Sequence, residues 1–370
     1  MRRHPNDDNR QRLSQDDWIT IAACVALVLA SVAIIVRYFD AAFPQASIEF
    51  KVDRNTSRPI AERLLHARGI DVQSMKHAAR FDSDDEARIF LERSLGLEAA
   101  NDVMAEDVHV WSWHHRWFRP LVEEEMSVDV APTGQIIAFR HIIPEDRAAP
   151  PPSVTPPVEF LKSIGVNVAD LNLIEQSERR LPKRVQRIFT WESSSIRPAG
   201  AQYRHVVTVD GDRVTSYSQE LKVPDAWKRA YGEMRSKNRA AGQVDLIFNA
   251  ALMIAAVVIF IVRLRRGDLP LRFILGIGVA CLLLVGGSSI NEMPAQLAYY
   301  DTTTSYPAFL GSLAFNAVLQ SVGMAMLLIV ICGAGEVLYR QSMPKQLAMP
   351  RLWTPRALTS RRVFLSMILG

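Results

Sequence analysis

Leu246-Ile247-Phe248-Asn249-Ala250-Ala251-Leu252-Met253-Ile254-Ala255-Ala256-Val257-Val258-Ile259-Phe260-Ile261-Val262 carries no charge and is closed by Arg263, Arg265 and Arg266. At about 1.5 Å per helical residue, blocks of this kind can cross a hydrocarbon layer roughly 30 Å thick. Three others resemble it: Ile19 to Val36, bracketed by Trp18 and Arg37-Tyr38; Leu271 to Ile290; and Phe309 to Val337. The reading is therefore a membrane protein with an α-helical transmembrane part of four spans. The 49% apolar average over 370 residues conceals this, because charges and apolar residues are segregated into blocks. That segregation excludes a disordered chain, a collagen-like chain and a single soluble globule. Cys24, Cys281 and Cys332 all lie inside apolar blocks, which excludes a disulfide scaffold. The net charge of +4 implies no nucleic-acid partner, since the excess Lys and Arg flanks the spans.

Those flanks orient the chain. Arg2, Arg3, Arg10 and Arg12 precede the first span, Arg263, Arg265, Arg266 and Arg272 join the second to the third, and Arg340, Lys345, Arg351, Arg356, Arg361 and Arg362 follow the fourth. Residues 291–308, between the third and fourth spans, contain no Lys or Arg. The positive-inside rule then expects a cytoplasmic N-terminus and residues 40–243 outside the cytoplasm. An uncleaved anchor is favoured over a signal peptide because the first block is longer than an ordinary signal core and Phe39 to Pro44 makes a poor cleavage site. The expected organisation is a tail over 1–17, an anchor over 18–38, an α+β module over 40–147, a Pro-rich linker over 148–157, a second module over 158–242, three spans over 244–338 and a basic segment over 339–370. Val363 to Gly370 is an apolar stub following a basic cluster, read as the start of a fifth span in a truncated chain.

The extracytoplasmic region alternates helix and strand signals. Arg58 to Arg68 places Ile60, Leu64 and Leu65 on one helical face, with Gly69 as the stop. Ser83-Asp84-Asp85-Glu86 caps a second helix that buries Ile89, Phe90, Leu91 and Leu95 before Gly96. Val108 to Phe118 reads as a strand, and Met126 to Val130 with Gln135 to Ile142 as a hairpin closed by Pro144-Glu145-Asp146. Beyond the linker come a short helix near Val158 to Ser163, strands at Leu171 to Gln176 and Arg187 to Glu192, and a hairpin from Tyr203 to Leu221 that ends in Val223-Pro224-Asp225. The repeated hairpin and its repeated Pro-acid ending suggest a duplicated unit that resembles the small PepSY-like modules found outside bacterial membranes. Ala226 to Arg239 reads as a helix leading into the second span.

Catalytic signatures are sparse. The eight histidines, His4, His66, His77, His109, His114, His115, His141 and His205, all precede the second span, so no intramembrane His-Glu zinc site can be built from them. His114 and His115 point to opposite faces of a strand and cannot share a metal, while His109 and His115 lie about 20 Å apart on an extended strand. Trp111, Trp113 and Trp117 form an aromatic face that packs on a helix or, alternatively, binds a peptide or protein partner. Glu123-Glu124-Glu125 reads as a solvated strand edge. No GxSxG, HExxH, P-loop or CxxC occurs. Ser312, Asn316 and Gln320, with Gly323, share a stripe of the fourth span and are expected to hydrogen-bond between helices. Asn291, Glu292 and Glu336 are expected at the span ends, within reach of interfacial water.

Several segments together carry a resemblance: Phe81 to Ala87, Trp111-Ser112-Trp113 through Arg116-Trp117-Phe118-Arg119-Pro120-Leu121, Glu124 to Val128, Phe139 to Asp146, and Leu221 to Trp227. They resemble the N-terminal region of bacterial CPBP-type intramembrane metalloproteases, related to the CAAX prenyl endopeptidases. The family's Glu-Glu-x-x-x-Arg, Phe-x-x-x-His and further His motifs are not found in this sequence. The resemblance implies an inner-membrane location, a protease domain beginning near Val363, zinc held by that domain alone, and a sensor or scaffold role for the present chain. It assigns no catalytic or metal-binding residue here. The alternative is a complete four-span sensor or interaction protein whose outer domain binds a partner.

Overall fold

The structure, a computed structural model, describes residues 15–43, 48–151 and 155–343 together with residues 351 and 368. The basic N-terminal tail, most of the basic segment after the fourth span and most of the apolar stub lie outside the described residues. The chain divides into two compact units: one takes in the described residues of Asp40–Ser236 and Ser289–Phe315, the other those of Met1–Phe39, Lys237–Ser288 and Asn316–Gly370.

The first unit is a single antiparallel sheet with helices on one face. Its strands are β1 (Lys76–Ser83), β2 (Trp111–Phe118), β3 (Glu125–Val130), β4 (Ile136–Ile142), β5 (Leu171–Arg180), β6 (Val185–Ser193), β7 (Gln202–Asp210) and β8 (Arg213–Lys222), in the order β1-β2-β3-β4-β8-β7-β6-β5. Each half of the chain thus contributes a four-strand meander, and the halves meet where Phe139 of β4 pairs with Tyr217 of β8. The two expected modules are fused into one sheet, and the Pro-rich segment connects halves of one core rather than separate domains. The physical reason is burial: alone, each half would leave the edges of β4 and β8 unpaired and the Phe139-Tyr217 pair open to water.

Helix α1 spans Gln15–Ala42, and α2 (Arg54–Ala67) is opened by Asp53, whose carboxylate accepts from the Asn55 and Thr56 amides at 2.8 Å. Its Ala61, Leu64 and Leu65 pack with Phe160 and Leu161 of α5 (Val158–Ser163) over Trp117, Val128, Phe139, Phe189, Val207 and Tyr217. Burying each such Leu or Phe contributes about 1.5–3 kcal/mol. A second cluster joins Phe90 and Leu91 of α3 (Asp85–Leu95) to Ala100 and Met104 of α4 (Leu97–Glu106), Trp111, Tyr203 and Leu221. The α3 cap is Asp84, which accepts from the Ala87 amide at 3.0 Å.

Three elements differ from expectation. β2 begins at Trp111, and Val108 and Val110 reach the core from a loop instead. β1 and α4 give no clear signal in the sequence: β1 buries only alanines fully, Ala78 and Ala79, and α4 follows directly on the Gly96 that ends α3.

Helices α6 (Asp225–Arg266), α7 (Leu271–Gln296) and α8 (Tyr306–Ser342) follow. With α1, they make four helices among the described residues long and apolar enough to cross a membrane. Small residues set their packing: a Cβ placed on Gly278 would meet Ile329 at 2.5 Å, and one on Gly333 would meet Phe260 at 2.7 Å. The buried stripe of α8 is accordingly Ser321, Ala325, Gly333, Ala334 and Val337. Ser312, Asn316 and Gln320 lie outside that stripe and are exposed, and the Ser312 hydroxyl donates to its own helix, to Phe309 O at 2.7 Å. The close approaches at Gly278 and Gly333 turn a different face of α8 towards its described neighbours. Glu336 also departs from expectation: its side chain is fully buried and answered by Arg340 at 3.2 Å, and Arg340 in turn donates to Asp268 O at 2.9 Å.

Candidate functional site

The antiparallel alternation of β1 and β2 sends Trp111, Trp113, His115, Trp117 and His77 to the helix-covered face, and Lys76, Ala78, Arg80, Arg116 and Phe118 to the other. On that second face sits the segment joining α7 to α8. Tyr300 is 1% exposed and packs with Ala78, Phe118 and Ala298. Its ring lies 5.0 Å from that of Phe118 and 4.9 Å, edge-on, from that of Phe309. Arg116 fastens the backbone: its guanidinium donates to Ala298 O at 3.0 Å and Tyr300 O at 2.6 Å, while the Glu125 carboxylate on β3 accepts from its other edge. Arg80 stacks over Tyr299 and Lys76 over Tyr306, each 4.3 Å from the ring centroid. Asp301 closes the turn by accepting from the Thr303 amide, which lowers its pKa.

The opposite face of the same two strands holds a buried polar chain. The Ser57 hydroxyl donates to Asp53 O at 2.6 Å, leaving its oxygen to accept from His115 Nε2 at 2.9 Å. His115 Nδ1 then accepts from His77 Nε2 at 3.0 Å. The chain requires a neutral His115, whose Nδ1 accepts. Burial pushes His77 down to about 4, helped by Arg58 and Arg54, and pushes His115 down to about 4, helped by His77 and His114. His114, facing the other way, meets Asp129 at 2.5 Å.

At the seam between the halves lies a cleft of about 580 Å³. Glu124, expected to be solvated, is instead clasped within it by Arg147 at 2.9 and 3.0 Å and by His141 at 2.9 Å. The Arg147 guanidinium, then His141, holds the Glu124 carboxyl at about 2. Glu125 is likewise paired, with Arg116. Arg184, buried, ties the strap beyond β4 to the second half: it donates to Ile143 O at 2.9 Å and Arg147 O at 3.3 Å and faces Asp210 at 3.4 Å. Pro150 closes over Gly211, where φ is +61° and a Cβ would meet the proline ring at 2.9 Å.

The three tryptophans separate. Trp117 lies in the main core and Trp111 in the second cluster, so neither offers a surface to a partner. Trp113 remains half-buried, its indole N–H donating to Val52 O at 3.1 Å and its ring 4.9 Å from Phe81. Among the described residues, no group of three or more His, Cys, Asp or Glu could hold a metal ion. Arg116 and the aromatic segment were not singled out from the sequence, although Tyr299, Tyr300, Tyr306 and Phe309 are dense around the start of α8.

No protein-family model, curated protein or solved structure matches the chain.

Proposed function

We propose that this chain is a membrane-anchored sensor and scaffold, in which the sheet domain reads a signal outside the cytoplasm and passes it to α7 and α8. The observation that carries the reading is the Arg116 clamp, which fixes the segment directly linking those two helices onto β1 and β2. The landmark segments that resemble CPBP-type metalloproteases favour an intramembrane protease core as the recipient of the signal, with zinc confined to that core and PepSY-like modules as the sensor. Arg116→Ala in the full chain, embedded in nanodiscs, should raise hydrogen exchange in residues 297–305. Exchange unchanged there would remove the coupling route. Co-expression with a CPBP-type core and a cleavable reporter tests the recipient, because an Arg116→Ala chain that leaves cleavage unaltered refutes the scaffold role.

A second reading, a four-span protein whose sheet domain binds a peptide or protein, is favoured by the exposed Phe50 and Phe81 beside the half-buried Trp113. The two readings part on whether Phe81→Ser abolishes partner capture while leaving reporter cleavage intact. Both share the orientation expected from the basic flanks. A cysteine introduced at the exposed Asp212 should react with impermeant reagent in intact cells, and labelling only after lysis would reverse the topology.

A further inference from the structure

Helix α6 carries Arg229, Arg235, Lys237 and Arg239 within a stretch whose sole acid is Glu233. All four side chains are exposed, as is every residue from Gly232 to Ala250. Lys228, one position earlier, is engaged by Glu86 at 2.5 Å, whereas no ion pair to these four occurs among the described residues.

Two features point away from a protein partner. At about 100° per residue, Arg235 and Arg239 point one way, Lys237 the opposite way and Arg229 to the side. The charges therefore form a collar around the helix rather than a stripe along it, and a protein surface would meet one face only. The second feature is depth. Counting back from Val262, about 30 Å of helix begins near Gln243. Arg239 then lies about 6 Å beyond the hydrocarbon, Lys237 about 9 Å and Arg235 about 12 Å. Long cationic side chains reach back over such distances, which brings all three to the phosphate layer. The positive-inside rule does not forbid cations here, because long translocated regions escape it.

We infer that this collar binds the headgroups of anionic phospholipids in the leaflet on the sheet-domain side. The inference rests on α6 crossing the bilayer, and its test separates the two. The full chain, with Cys24, Cys281 and Cys332 replaced by Ser, carries a fluorophore on Ala240→Cys in nanodiscs of phosphatidylcholine and phosphatidylglycerol. Headgroup spin-labelled phosphatidylglycerol should quench about 3- to 10-fold more effectively than the phosphatidylcholine equivalent. The ratio should fall towards 1 in the Arg235→Gln/Lys237→Gln/Arg239→Gln variant and at about 0.5 M salt. A ratio near 1 in the unsubstituted collar, as a soluble anionic partner would give, overturns the inference, and so does a ratio the triple variant leaves unchanged. A second fluorophore on Val257→Cys, quenched by chain-labelled phosphatidylcholine, reports the crossing itself. Loss of that quenching sinks the membrane premise rather than the headgroup assignment.

Discussion

Arg116 satisfies two carbonyls and one carboxylate at once, so its removal costs more than a surface ion pair would. Arg116→Ala leaves Glu125 half-buried without its cation and should destabilise the domain by about 3 kcal/mol. The loss should register as a lower melting midpoint in nanodiscs. The His77-His115 pair predicts a pH dependence. Both rings sit at about 4, below the ordinary histidine value, so the neutral forms belong to the fold. Their contribution is complete above about pH 6.5 and is lost as pH falls towards 4, on the order of 2–3 kcal/mol. His205, also depressed to about 4 by burial, adds in the same sense, while Glu124 begins to matter only below its ordinary range. Thermal melts between pH 7.5 and 4.5 should show the decline, and His115→Gln should flatten it. Neither feature was visible in sequence. Arg116 and Ala298 are 182 positions apart, and no local pattern marks a side chain that answers carbonyls at such range.

Among elements, those with local chemistry were legible: α3 from its Asp84 cap, β7 and β8 from alternating burial about a tight turn, and α6 to α8 from apolar length. Those defined by a neighbour were not. β1 is polar by composition and is a strand because β2 pairs with it along its whole length. The face of α8 followed neither its polar stripe nor any single residue, but the glycines that admit its neighbours. Gly278→Leu should therefore drive Ile329 away and lower the melting midpoint, costing about 1–3 kcal/mol. Gly276→Leu on the same helix, where a Cβ meets nothing within 4 Å, should be nearly silent.

For the whole molecule, fusion of two meanders into one sheet means that the halves share a core and a seam. Arg184 is the seam's main polar tie, joining β6 to the strap after β4 and facing Asp210. Arg184→Met should cost less than Arg184→Ala, because the apolar stem still fills the space, yet both leave Asp210 exposed to repair by water. Limited proteolysis between residues 143 and 151 should accelerate in both, by roughly tenfold for a loss of about 1.4 kcal/mol. The two hairpins were legible in the sequence, but their union in one sheet was not, since the β4-β8 pairing depends on edges that the sequence does not mark.

The clamp also bears on the order of assembly. Every strand that the α7–α8 segment touches is synthesised long before that segment, and the last strand of the sheet ends at Lys222. A chain that folds from its N-terminus can therefore present a finished β1–β2 surface before Tyr300 emerges. The sheet can then serve as a template, with the late aromatic segment captured by a prebuilt seat.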